Sequence, residues 1–95
     1  MIMGKIVYRC MRPNEKPEWL LRLQYDISAE FCAESYSVGD LPVLQQYIDN
    51  KIRGYMTSKI IKRSIVNTTL LKDEGRTVLW ISRNGIPLQQ YFIKD

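Results

Sequence analysis

The amino-acid sequence predicts an α+β domain: a largely antiparallel sheet of about five to six strands with one amphipathic helix packed on it, in the order β-β-β-α-β-β-β. Three observations indicate this class. Apolar and polar side chains alternate along several segments, one segment has apolar side chains at helical spacing, and Asn84-Gly85 is a dipeptide typical of hairpin turns. We expect a single domain spanning residues 1–95, because a chain this short rarely forms two hydrophobic cores.

The first predicted hairpin joins a strand at residues 5–11 to a strand at residues 19–27. Odd positions from Trp19 to Ile27 are apolar and the even positions are mainly polar, a period of two typical of a half-buried strand. The loop between these strands contains two prolines. Residues 30–37 predict a weaker third strand, because their apolar side chains do not share one face. A short helix there is the alternative.

The predicted helix begins at Asp40, a good N-cap residue, and has Pro42 in its first turn, where no backbone amide donor is needed. It should end near residues 56–58, because Lys59 would lie in the middle of the apolar stripe. That stripe consists of Leu41, Leu44, Ile48, Ile52 and Tyr55.

Three further strands are expected after the helix, at residues 60–71, 77–82 and 86–93. Pro87 cannot donate to a strand ladder, so we expect the last strand to have an exposed edge. The strand before it is apolar on both sides, with Val78 and Trp80 on one face and Leu79 and Ile81 on the other. Either the sheet curls so that the chain covers both faces, with Trp80 in the core, or a partner buries one of them.

Charge is divided along the chain. Residues 1–49 carry five basic and seven acidic side chains, and residues 50–95 carry nine basic and three acidic ones. No acid lies between Asp49 and Asp73. Such a basic segment attracts phosphate backbones or acidic protein surfaces. The predicted partner-binding residues are Lys51, Arg53, Lys59, Lys62, Arg63 and Arg83.

Catalytic and cofactor chemistry have little support in the sequence, and we predict neither an enzyme nor a small-molecule substrate. There is no histidine, the commonest general base and metal ligand at neutral pH. The chain also contains no phosphate-binding glycine motif. From these two absences we expect no cofactor and no metal. The two cysteines do not form a disulfide framework, and no segment is long and apolar enough to span a membrane. These features predict a cytoplasmic protein.

The function expected from these observations is non-enzymatic binding. In the first hypothesis the basic second half docks nucleic acid, and the chain acts as a regulator or accessory factor. In the alternative, the chain is a stoichiometric inhibitor that blocks a nucleic-acid-processing protein, using the same basic residues together with an apolar strand face around Trp80. Its composition resembles that of orphan inhibitors encoded by phages and mobile elements. The sequence leaves open whether the chain forms a homodimer.

Overall fold

The computed structural model describes residues 3–33, 35–61 and 65–95. The four strands form one antiparallel sheet in the order β1-β4-β3-β2. The α+β class is therefore confirmed, whereas the predicted β-β-β-α-β-β-β order is wrong, because the described chain runs β-α-α-β-β-β with two α-helices. The elements in chain order are β1 (Lys5–Cys10), α1 (Glu18–Glu30), a 3-10 turn (Val38–Asp40), α2 (Leu41–Thr57), β2 (Val66–Asp73), β3 (Arg76–Arg83) and β4 (Ile86–Lys94).

Helix α1 occupies the segment that was predicted to be the second strand. Its buried side chains are Trp19, Leu20, Leu23 and Ile27, which lie on one helical face. The strand prediction placed Leu21 and Tyr25 on the core face, but their side chains are 47% and 75% exposed. The alternation arose because the exposed face of the helix also carries apolar residues. The first predicted hairpin is therefore wrong, and β1 pairs with β4 at the other end of the chain.

The weak strand predicted at residues 30–37 is absent from the described part of this segment, as is the alternative short helix. A single antiparallel bridge joins Tyr36 to Gly4. Next to it, the backbone amide of Ser37 donates to Asp40 Oδ2 at 2.7 Å. This bond fixes the turn that leads into α2.

Helix α2 confirms the predicted helix and its core-facing stripe. It follows Asp40, has Pro42 in the first turn and ends at Thr57. The five predicted apolar residues are all buried: Leu41, Leu44, Ile48, Ile52 and Tyr55.

The hairpin predicted at Asn84-Gly85 forms, and a second hairpin joins β2 to β3. Each turn consists of two residues with positive φ, Glu74-Gly75 between β2 and β3 and Asn84-Gly85 between β3 and β4. Strand β2 begins at Val66; residues 62–64 of the strand predicted from residue 60 lie outside the described residues.

The exposed edge expected for β4 is wrong, because β4 lies between β1 and β3. Pro87 is tolerated since β1 pairs with β4 only as far as Gln89.

Both helices pack on the same face of the sheet. The buried cluster joins α1 and α2 to Leu79 and Ile81 of β3 and to Tyr91 and Ile93 of β4. Val78 and Phe92 are also buried but do not belong to this cluster, because they point to the opposite face of the sheet. We call that opposite surface the open face; it carries Lys5, Val7, Arg9, Asn67, Thr69, Leu71, Asp73, Arg76, Val78, Trp80, Ser82, Gln90, Phe92 and Lys94.

No helix among the described residues has the length and hydropathy needed to cross a membrane.

Candidate functional site

The basic residues predicted to bind a partner do not form one patch in the described structure. Lys51 lies on the side of α2 that faces α1, where its Nζ is 3.6 Å from Asp26 Oδ2. Arg53 lies on the side of α2 that faces β2, in a depression with Val66 and Asn67. The two cations therefore point to different surfaces, although only one residue separates them in sequence.

Of the other predicted cations, Lys59 lies near Lys51, because the depressions that the two line share Arg22 and Ile60. Lys59 has a φ of 61° just beyond α2 and lines a depression with Arg22 of α1. Arg83 lies at the end of β3, where its guanidinium is 3.4 Å from Glu15 Oε2. Lys62 and Arg63 lie outside the described residues, so their part in the prediction stays a prediction.

The open face offers a more continuous surface than these scattered cations. An apolar row crosses the sheet, since Val7 pairs with Phe92 on β4 and Leu71 pairs with Val78 on β3. Leu71 is 59% exposed, whereas Val78 is buried. Within the described chain, no other element of secondary structure packs on this row.

Polar and aromatic side chains continue the open face beside the apolar row. Gln90 lies between Arg9 on β1 and Trp80 on β3. The amide of Gln90 is buried and donates to Asp73 Oδ2 at 3.2 Å. The half-buried Trp80 is flanked by Thr69 on β2. The alternative in which the sheet curls and Trp80 lies in the core is not borne out, because the core cluster includes Leu79 and Ile81 but not the half-buried Trp80.

One feature of Trp80 is unusual for a side chain on the open face. Its indole Nε1 is buried, yet no acceptor lies within hydrogen-bond distance among the described residues. A buried donor without an acceptor is unfavourable by about 1–3 kcal/mol. A partner that reorders the side chains around Trp80 would gain by supplying an acceptor.

The open face is strongly basic along one side. Lys5 pairs with Lys94 across β1 and β4, and both side chains are exposed, as is that of Arg9. The guanidinium of Arg76 lies 3.9 Å from the centroid of the Phe92 ring, a cation-π contact that covers the ring. Asp73 is the one acid among the strand residues of this face, which the structure describes completely. This surface therefore combines apolar, aromatic and cationic groups.

The division of charge at residue 49 of the sequence does not reveal this surface, because its cations come from both halves of the chain. Lys5 and Arg9 lie in the half with a net negative charge, and Arg76 and Lys94 lie in the basic half. The pairing of β1 with β4 brings them together. One signal in the sequence could have identified this surface. Lys5, Val7 and Arg9 alternate with Ile6, Tyr8 and Cys10, so they lie on the other side of β1 and combine charged with apolar side chains.

Titratable groups between the helices form a hydrogen-bonded cluster. Tyr55 Oη donates to Asp26 Oδ2 at 2.8 Å, and Lys51 pairs with the same carboxylate. Burial and the neighbouring Asp26 raise the pKa of Tyr55. Burial also raises the pKa of Tyr91, whose hydroxyl donates to Gln89 in the core. Both tyrosines therefore stay neutral at physiological pH and support the fold.

Among the described residues, no group of three or more cysteine or carboxylate side chains is arranged to hold a metal ion.

No protein family, curated protein or solved structure matches this chain, so the functional proposal rests on its own geometry.

Proposed function

We propose that this chain is a non-enzymatic binding protein that docks an acidic protein surface on its open face. The observation that supports this function best is an apolar row, including the 59%-exposed Leu71, that lies next to exposed cations on a sheet face where no helix packs among the described residues. Hot spots of protein interfaces are enriched in tryptophan and arginine, and the open face has Trp80, Arg9 and Arg76. Cytoplasmic localisation remains part of this proposal.

The charge of the open face favours an acidic partner. Lys5, Arg9 and Lys94 make no ion pair within the described residues. An acidic surface would pair with these cations and would approach faster through long-range attraction. A second copy of this chain docked face to face would instead bring like charges together, which is unfavourable.

Nucleic acid is the second candidate, supported by the same cations. Binding of single strands gains most from exposed aromatic ring faces on which bases stack. On the open face, Phe92 is only 8% exposed and its ring is covered by Arg76, so Trp80 is the main ring left for stacking. Exposed aliphatic groups such as Leu71 suit a protein surface better than a phosphate backbone.

The proposal predicts that Leu71→Glu removes the partner without unfolding the chain. The wild-type protein and this variant would be immobilised and exposed to lysate of the source cell, with and without nuclease. The matched control is Val43→Glu, because Val43 has the same exposure as Leu71, 59%, but lies on α2. We expect wild type and Val43→Glu to capture one protein in stoichiometric amount, with or without nuclease. Leu71→Glu should not capture it.

A second measurement separates the two candidate functions. Fluorescence anisotropy with labelled single-stranded and duplex oligonucleotides would be recorded over a range of salt concentrations. Nuclease-sensitive capture together with a steep salt dependence would replace the protein-binding proposal by the nucleic-acid one. Equal capture by Leu71→Glu and Val43→Glu would reject the open face as the binding surface.

A further inference from the structure

Strand β1 is an outer strand of the sheet, and its outer edge is only partly paired. Gly4 and Tyr36 exchange two backbone hydrogen bonds, of 2.8 Å and 2.7 Å, on the side of β1 away from β4. Backbone groups of alternate residues in a strand point to the same side, so those of Tyr8 and Cys10 point toward this edge. Among the described residues, no strand pairs with Tyr8 or Cys10 there.

A cavity of about 220 Å³ lies below this edge, between β1 and α1. Tyr8 contributes one wall and is itself 50% exposed. Gln24 of α1 contributes another wall, and its Nε2 is buried without an acceptor among the described residues. The cavity is lined by Ile6, Tyr8, Gln24, Ile27, Ser28, Phe31 and Tyr91.

The opposite edge of the sheet, formed by β2, is partly occupied by side chains of α2. Gln45 Nε2 donates to the backbone carbonyl of Thr68 at 3.4 Å. Thr68 Oγ1 donates to Asp49 Oδ1 at 2.6 Å. Such contacts hinder the pairing of another strand at β2. The β1 edge has no equivalent side-chain contact among the described residues.

We propose that the β1 edge binds an extended peptide segment of a partner protein as a fifth strand. The peptide backbone pairs with Tyr8 and Cys10, the usual mode of β-strand addition. One acidic side chain of the peptide enters the cavity. There a carboxylate oxygen accepts a hydrogen bond from Gln24 Nε2, a donor that has no acceptor among the described residues. The side chains of Lys5 and Arg9 lie on the open face, away from this cavity, so the preference for an acceptor side chain comes from Gln24. This edge is separate from the open face and does not depend on its function.

The test uses the full chain, labelled with ¹⁵N, and the synthetic peptide acetyl-Thr-Val-Glu-Val-Thr-amide. Titration should shift the amide signals of Tyr8, Cys10 and the Gln24 side chain, and should slow hydrogen exchange of the two strand amides. A peptide N-methylated at its glutamate and both valines loses backbone hydrogen bonds to β1 in either strand orientation, and it should bind roughly tenfold more weakly or worse. A peptide with leucine in place of glutamate loses the bond to Gln24 and should be weakened to a similar extent.

Matched variants of the protein test the role of the cavity. Gln24→Leu should reduce affinity for the glutamate peptide at least about tenfold but leave that of the leucine peptide unchanged. Gln46→Leu, on the exposed side of α2, is the control and should change neither. The proposal fails if no peptide binds at millimolar concentration, if N-methylation has no effect, or if the shifts map to the open face. It also fails if sedimentation shows that the free protein is a dimer and the amides of Tyr8 and Cys10 are already protected from hydrogen exchange without peptide.

Discussion

Residues of similar type on the same helix have very different environments in this fold. Ile48 and Val43 are both β-branched residues of α2, yet Ile48 is fully buried and Val43 is 59% exposed. Their spacing of five residues rotates them by about 140° around the helix axis, so they face different surroundings. The contribution of each side chain to stability should follow this difference in burial.

Truncation of Ile48 tests this expectation. Ile48→Ala should lower the free energy of unfolding by about 2–5 kcal/mol, because it removes buried methyl groups and leaves a cavity. Val43→Ala should change it by less than about 0.5 kcal/mol, since the side chain is mostly in water. Urea denaturation followed by circular dichroism gives both values. Equal losses for the two variants would contradict the burial of the α2 stripe.

Helices and strands were predictable where the spacing of apolar residues fitted one of the two structures and not the other. The α2 stripe fits only a helix, and the Asn84-Gly85 turn requires positive φ angles that few other dipeptides adopt. Residues 19–27 fit a period of two as well as a helix, because Leu21 and Tyr25 are apolar residues exposed to water. Leu20, which falls on the polar side in the strand interpretation, is 1% exposed in the structure. Tertiary packing decides which of these side chains are buried. The local alternation of apolar and polar residues carries no information about that packing.

Two leucines of α1 distinguish the helix from the strand experimentally. In a strand Leu21 and Leu23 would lie on the same face, whereas in the structure Leu23 is fully buried and Leu21 is 47% exposed. Leu23→Ala should therefore reduce the free energy of unfolding by about 2–5 kcal/mol. Leu21→Ala should reduce it by less than about 1 kcal/mol. Similar large losses for both variants in chemical denaturation would favour the strand.

At the scale of the whole molecule, the arrangement depends on contacts between the two ends of the chain. Lys5 of β1 pairs with Lys94 of β4, and no local pattern specifies that pairing. For the same reason, the position of charge along the sequence did not predict its position on the surface. Lys51 and Arg53 are close in sequence but face different elements, whereas Arg9 and Arg76 are distant in sequence and share the open face. The basic character of the chain was predictable, but the surface that displays it was not.

The stability of the whole fold should decrease at alkaline pH because Tyr91 is buried in a neutral form. Its folded-state pKa lies above the ordinary value of 10.0, so folding favours the protonated phenol. Stability is then unaffected below about pH 9 and falls once the unfolded chain begins to ionise near pH 10, by up to about 1.4 kcal/mol per pH unit for this group. Denaturation measured between pH 7 and about pH 12 tests this decrease.

Two phenylalanine variants assign the decrease to the buried residue. Tyr91→Phe should be less stable at neutral pH by about 1–3 kcal/mol, because Gln89 Oε1 loses its donor in the core. The same variant should have a flatter decline above pH 10, since the ionisable group is absent. Tyr25→Phe, at a position that is 75% exposed, should reproduce the wild-type profile. A decline that is equally steep in wild type and Tyr91→Phe would show that another group causes the alkaline transition.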